Sequence, residues 1–211
     1  MNYMALDRAD LSYASKECPR GMANPTIGDV IRLKRVIRYL KGAPRIVNML
    51  KWQSVYSKLV TYSDSDWAGC VKTRRSTSGG MILRGSHLLA HWSSTQSTVA
   101  LSSAEAELNA LIKAASESLG ILNMLKAMGK EFQCQIFTDS SAAKGIICRL
   151  GCGKVKHLEA RQLWLQEVVR RKTLQVTKVG RDDNCSDAMT HHWSCVDGYR
   201  HFAMAGLEWR Y

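Results

Sequence analysis

Two acids close apolar runs in this chain: Asp64, in YSDSDWAG, follows Leu59-Val60-Thr61-Tyr62, and Asp139, in QCQIFTDSSAA, follows Ile136-Phe137-Thr138. If the two runs are parallel, neighbouring strands of one sheet, both carboxylates meet at the carboxyl ends of the strands, where open α/β sheets keep their sites. Grouped carboxylates supply the hard oxygen ligands that Mg²⁺ requires. Two such ions about 4 Å apart can activate a water and hold the charge of a departing oxygen in phosphodiester hydrolysis. Read singly, either acid is an ordinary turn or helix cap. Further acids are on offer, and spacing does not choose among them. Glu105 and Glu107 lie about 200° apart on a helix, so only one reaches a shared ion. Asp64 and Asp66, two residues apart on a strand, share a face, and DDNCSDAMTHHW holds Asp182, Asp183 and Asp187.

The elements that must hold these acids are marked by changes of period. Strands over 59–65, 79–84 and 87–93, the last two joined by Arg84-Gly85-Ser86, predict an antiparallel meander. Leu101, Ala104, Leu108, Leu111, Ile112, Ala115, Leu119 and Leu122 step by three and four, which predicts a helix over about 102–128. Ser102 or Ser103 caps it, with Glu105 completing a capping box. A strand in QCQIFTD, a short helix over 140–149, a glycine-rich turn, a helix over 157–171, a strand in TLQVTKV and a short helix after Asp183 follow. Upstream, Asn24-Pro25 opens a helix carrying Ile27, Val30, Ile31, Leu33, Ile37 and Leu40, stopped by Gly42 and Pro44. With the long helix as crossover between parallel strands, this order predicts an α/β fold: a mixed five-stranded sheet flanked by helices and preceded by a small helical segment.

With 211 residues, 45% of them hydrophobic, and 3 prolines, the chain can bury a sizeable core. No apolar run reaches the roughly 18 residues of a membrane span, and MNYMALDRAD lacks a signal-like apolar stretch, so a soluble intracellular protein without a membrane partner is expected. The 7 cysteines are odd in number and scattered without a C-x-x-C pair, which reads as free thiols rather than zinc ligands. The formal net charge of +12 is uneven. Residues 1–58 hold 11 Lys and Arg against 4 acids, residues 144–181 hold 10 against 2, residues 59–143 balance at 7 against 7, and residues 182–211 hold 2 against 5. Basic surfaces set apart from acids suit a phosphate-bearing partner. The pair His191 and His192 reads as a solvated surface.

YSDSDWAG, RRSTSGG, WSSTQSTVALSSAEAELNAL, IFTDSSAA and KHLEARQLWLQE occur in the order and at the spacings of another group of sequences. The chain resembles the ribonuclease H domain of copia-type (Ty/copia) retrotransposon Pol polyproteins. LDRADLSYASKE, NPT and LKRVIRYLKGAP resemble the segment that joins that domain to the reverse transcriptase. The resemblance implies a ribonuclease H-like fold over 59–195, after a helical connection segment at 1–58 and before a tail at 196–211. It also implies a D-E-D-D set of Asp64, Glu107, Asp139 and Asp187, with Glu107 preferred because it directly precedes Leu108-Asn109-Ala110-Leu111. Asp66 is then the runner-up to Asp64, and Met189-Thr190-His191-His192 departs from the usual Leu-Thr-Lys-Pro-like ending after Asp187. His157 matches the KH of the pattern and is expected to be structural.

The activity so implied is hydrolysis of the RNA strand of an RNA/DNA hybrid with two Mg²⁺ or Mn²⁺ ions, leaving 5′-phosphate and 3′-hydroxyl ends during reverse transcription. Glu107 would sense a 2′-hydroxyl, the group that tells RNA from DNA. Lys154, Lys156, Arg161, Arg170, Arg171 and Lys172 are expected to track the hybrid backbone, with Ser76, Thr77 and Ser78 adding phosphate contacts. The reverse transcriptase region of the same polyprotein is the expected protein partner, and a cytoplasmic particle or the nucleus the expected place. Two rivals stand beside this reading. One is a catalytically inactive nucleic-acid-binding remnant, which an intact acid set argues against. The other is an integrase-type core, whose acids run D, D, E, whereas here the Glu comes second.

Overall fold

The N-terminal quarter folds as helices α1 (Met4–Asp7), α2 (Ser12–Glu17) and α3 (Ile27–Gly42), joined by 3-10 turns. The computed structural model describes residues 3–151 and 160–210, except for the side chains of residues 161 and 195. Thr26 starts α3: its hydroxyl accepts the Asp29 N–H while the Asp29 carboxylate accepts the Thr26 N–H, a reciprocal cap that satisfies two orphan donors. Val36, Tyr39 and Leu40 turn toward the rest of the chain, whereas Ile27, Ile31, Leu33 and Ile37 of the expected apolar stripe are exposed.

Strand β1 (Arg45–Asn48) follows, then β2 (Lys58–Ser65), β3 (Thr77–Arg84), β4 (His87–Thr95), helix α4 (Ser103–Ala127), β5 (Gln133–Thr138), α5 (Ser141–Cys148), α6 (Ala160–Arg170), β6 (Leu174–Lys178), α7 (Cys195–Met204) and β7 (Leu207–Arg210). Five strands form one sheet in the order β4-β3-β2-β5-β6. The pairs β3/β4 and β2/β3 are antiparallel, and β2/β5 and β5/β6 are parallel. The fold is α/β, with the mixed five-stranded sheet flanked by helices that the sequence predicts.

Each face of the sheet has its own core. On one, Leu108, Leu111 and Ala115 of α4 pack with Leu59, Ile136, Ile147, Leu165 and Leu174. On the other, Met81, Leu83 and Leu88 pack with Ala9, Met189, Phe202 and Leu207. That second cover comes from both ends of the chain, which β1 and β7 tie together as an antiparallel pair running from Arg45↔Arg210 to Asn48↔Leu207. The sequence reading contained neither strand. Arg8 reinforces the tie: it binds Asp10 at 2.6 Å and the Ala43 and Pro44 carbonyls, while the Tyr39 hydroxyl donates to Asp10 and accepts from the Trp209 indole.

Cys18, Cys70, Cys134, Cys148 and Cys185 are free thiols. Among the described residues no helix is long and apolar enough to cross a membrane.

Candidate active site

Asp64 stands near the end of β2, and Asp139 directly follows β5, its parallel neighbour. Parallel pairing brings the finishing ends of both strands to one edge, and α4 crosses them so that Glu107, in its second turn, points down between them. Carboxylate oxygens of Asp64, Glu107 and Asp139 lie within 4.8 Å of one another. On the other side of Asp64, a second group within the same limit joins it to Asp187 and His191. Asp64 is thus common to two clusters.

The structure separates acids that spacing left open. Glu105 works at the helix start, where its backbone N–H donates to Ser102 and its carboxylate accepts the Leu101 N–H at 2.8 Å. Asp66 accepts the Thr77 N–H on β3 and belongs to neither cluster. Asp182 is exposed and lies 4.0 Å from Arg200.

Asp187 sits not in a regular helix but in a five-residue 3-10 turn, Cys185–Met189. Two features seat that turn beside Asp64. Asn184 is fully buried, donates to the Ser63 carbonyl on β2 and accepts from Ser186. Gly79, paired with Asp64 across the ladder, lets the turn lie on β3: a Cβ there would stand 2.6 Å from Met189 Cβ and 2.7 Å from Thr190 Cγ2.

Thr190 and His191 complete the arrangement. The buried Thr190 hydroxyl donates to Asp64 Oδ2, and His191 Nδ1 lies 3.2 Å from the same hydroxyl. His191 Nε2 is 3.2 Å from Asp187 Oδ2, and His201 Nε2 is 3.8 Å from it. The half-buried His191 is therefore part of the site, unlike the solvated pair expected from sequence. Asn184, Thr190 and His191 carry no periodic signal, and only their nearness to Asp187 could have marked them.

The electrostatics are those of crowded acids. Burial, then Asp187 and Asp139, push Asp64 up to about 7 against a hydrogen bond from Thr190. Burial, then Asp64 and Asp139, push Glu107 up to about 9, opposed by the Ser65 N–H. Asp139 is raised by burial, against the pull of Arg181. For Asp187, burial works upward, but the hydrogen bond and charge of His191, with His201 and Arg181, outweigh it and the net shift is down. Glu107 Oε1 accepts the Ser65 N–H at 3.2 Å, while its Oε2 is buried without a partner. A buried, unpartnered carboxylate oxygen beside two more carboxylates fits a hard divalent cation, which would satisfy the lone pairs and reverse the upward shifts.

Ser76, Thr77 and Ser78 are buried, and their hydroxyls face inward, to the Ala68 N–H, the Lys16 ammonium and the Gln96 amide. Arg170 and Arg171 both pair with Glu167. With Lys172 they precede β6, beside the start of β5 at Phe132 and Gln133, a strand's length of about 15–20 Å from the acids. The fold does not bring these three to the site. Lys154, Lys156 and His157, and the side chain of Arg161, lie outside the described residues.

Over 199 residues the chain is 32% identical to a retrovirus-related Pol polyprotein from transposon RE2 of Arabidopsis thaliana, covering 93% of this chain and 14% of that protein. The Pol polyprotein from transposon TNT 1-94 of Nicotiana tabacum is 27% identical over 194 residues, 90% of this chain and 14% of that protein. The relatives that cover about nine tenths of this chain are copia-type retrovirus-related Pol polyproteins. This chain spans about one seventh of those polyproteins. A secreted RxLR effector protein 161 of Plasmopara viticola is 38% identical over 119 residues, 56% of this chain and 83% of that protein. No family model matches the chain. Among solved structures, LC11-RNase H1 isolated from compost shares 18% identity at a TM-score of 0.45, over 64% of this chain and 93% of that one. The N-terminal RNase H domain of a Mycobacterium tuberculosis protein shares 14% at 0.45, over 71% and 96%.

Proposed function

We propose that this segment of a copia-type Pol polyprotein is a metal-dependent endoribonuclease that cleaves the RNA strand of an RNA/DNA hybrid. The observation that carries the reading is the double cluster at the strand ends: Asp64, Glu107 and Asp139 on one side, and Asp64, Asp187 and His191 on the other. Two sites sharing one acid suit two ions that hold the attacking and leaving oxygens of one phosphodiester.

In this reading Glu107 and Asp139 would hold one Mg²⁺ or Mn²⁺ and Asp187 the other, with Asp64 the acid common to both groups. When bound, the ions supply a nucleophilic water and neutralise charge on the leaving oxygen. The chain's own groups fix the carboxylates. Thr190 holds Asp64 Oδ2, the Ser65 N–H holds Glu107 Oε1, and His191 holds Asp187 Oδ2. Glu107 is the acid placed to sense a 2′-hydroxyl of the strand being cut. The reverse transcriptase region of the same polyprotein is the partner that would supply the hybrid.

The test is a strand-labelled RNA/DNA hybrid incubated with Mg²⁺, with Mn²⁺ or with excess EDTA. Cleavage confined to the RNA strand, ending in 5′-phosphates and abolished by EDTA, is expected. Undiminished cleavage in EDTA would remove the metal mechanism, and equal cutting of the DNA strand would remove the substrate.

A further inference from the structure

The basic residues beside the acids come from the N-terminal helices. A groove of about 320 Å³ runs between α2 and α3, lined by Tyr13 on one wall, Arg32 and Arg35 on the other, and closed by His192 and Trp193. His192 and Trp193 also line the adjoining hollow of about 220 Å³ that contains Asp187, His191 and Arg181. The two hollows therefore share a wall, formed by His192 and Trp193, which sets the groove next to the candidate metal ligands.

Charge within the groove is positive once its internal pairs are counted. Asp10 is held by Arg8 and Tyr39, and Glu17 by Lys16 and Arg20. Arg32 shares Asp29 with the helix cap, with its side chain 58% exposed. Arg35 is exposed and has no ion pair among the described residues. Lys16 lies 4.7 Å over the Tyr13 ring, and Tyr13 meets the His192 ring edge-on at 5.0 Å. Arg32, Arg35 and His192 line the same groove.

We infer that the groove between α2 and α3 carries the sugar-phosphate backbone of the duplex beyond the cutting site, with Arg32 and Arg35 neutralising its phosphates. The inference rests on the hybrid-cleaving reading above and names the surface that aligns that substrate. Adjacency to the acids through the His192–Trp193 wall and charge complementarity favour nucleic acid. The expected basic block at Arg170, Arg171 and Lys172 lies at the other end of the sheet, while α2 and α3 bring cations to this end. Arginine suits the role because its planar fork pairs with phosphate oxygens.

The test compares two charge-matched double variants of the whole chain, Arg32→Glu with Arg35→Glu and Arg170→Glu with Arg171→Glu. Binding of a fluorescent RNA/DNA hybrid is followed by anisotropy across a salt series in EDTA, with circular dichroism and melting temperature as checks of folding. The α3 pair should weaken binding roughly tenfold and lower the log–log salt slope by about 1.8, at about 0.9 for each phosphate no longer neutralised, while the α6 pair changes neither. An unchanged slope in a folded α3 pair, or a larger loss in the α6 pair, overturns the inference and leaves the groove to an acidic peptide or a second copy. Cleavage by the unmodified chain in Mn²⁺ is scored separately. If that chain cuts the hybrid while the α3 pair binds normally, only the groove fails. If it does not cut while the α3 pair still loses binding and slope, the catalytic reading fails and the groove stands.

Discussion

At the scale of the residue, the site is a set of acids held where their charges oppose one another. Glu107 shows the cost most clearly, because its Oε2 is buried without a partner and its carboxyl is raised to about 9. The unfolded value is about 4.3 for Glu and 3.9 for Asp. A carboxyl raised on folding takes up a proton more readily in the fold, so its contribution to stability is complete below the unfolded pKa. That contribution is lost as pH rises through the folded one. For Asp64 the window ends near 7, and for Glu107 near 9. In EDTA, raising the pH from about 5 to about 9 should therefore lower the melting temperature of the unmodified chain more than that of Glu107→Gln. Mn²⁺ should abolish the difference. Parallel melting curves over that range would show that Glu107 is not held among like charges. Helical spacing alone left Glu105 and Glu107 as equals about 200° apart, and only the resemblance preferred Glu107. The difference lies in what each reaches, the backbone of Leu101 for one and the strand ends for the other.

At the scale of the element, the strands of the large sheet and the helix α4 were legible because each repeats a period several times over. Both short strands β1 and β7 were not, since four residues carry no usable alternation and their pairing spans nearly the whole chain. The turn bearing Asp187 was half legible: a short helical element after Asp183 is present, but as a 3-10 turn whose seat depends on Gly79 across the sheet. An alanine there would meet Met189, Thr190 and the Ser186 carbonyl at 2.6, 2.7 and 3.1 Å. Gly79→Ala should cost about 1–3 kcal/mol by overpacking. It should also lower cleavage more than hybrid binding, because it displaces Asp187 and Thr190 together. Melting temperature and turnover matching the unmodified chain would contradict this seating.

At the scale of the whole molecule, a linear charge block does not show where its cations stand relative to the acids. The block at 144–181 is strongly basic in sequence, yet Arg170, Arg171 and Lys172 stand where β6 begins, whereas the acids stand where β2 and β5 finish. Direction along a strand decides that, and composition does not contain it. The same holds for the helix α3, whose apolar stripe is mostly exposed while Val36, Tyr39 and Leu40 face inward and Arg32 and Arg35 border the groove. The two chain ends, joined by β1 and β7, cover the second sheet face and seat α2 and His192 beside the acids.

The most direct test of the account is hybrid cleavage and hybrid binding by Asp139→Asn measured side by side in Mn²⁺. Asp139 is only half buried and directly follows β5, so the substitution removes a carboxylate oxygen from the cluster while leaving the fold and the basic groove in place. The account predicts that cleavage of the RNA strand falls at least about a hundredfold, as expected for loss of a group that positions the reacting centre, with hybrid affinity within about twofold of the unmodified chain, since no phosphate-binding group is removed. Near-normal turnover by a folded Asp139→Asn would contradict the account, because a chain that cuts without this carboxylate does not use the cluster at the strand ends.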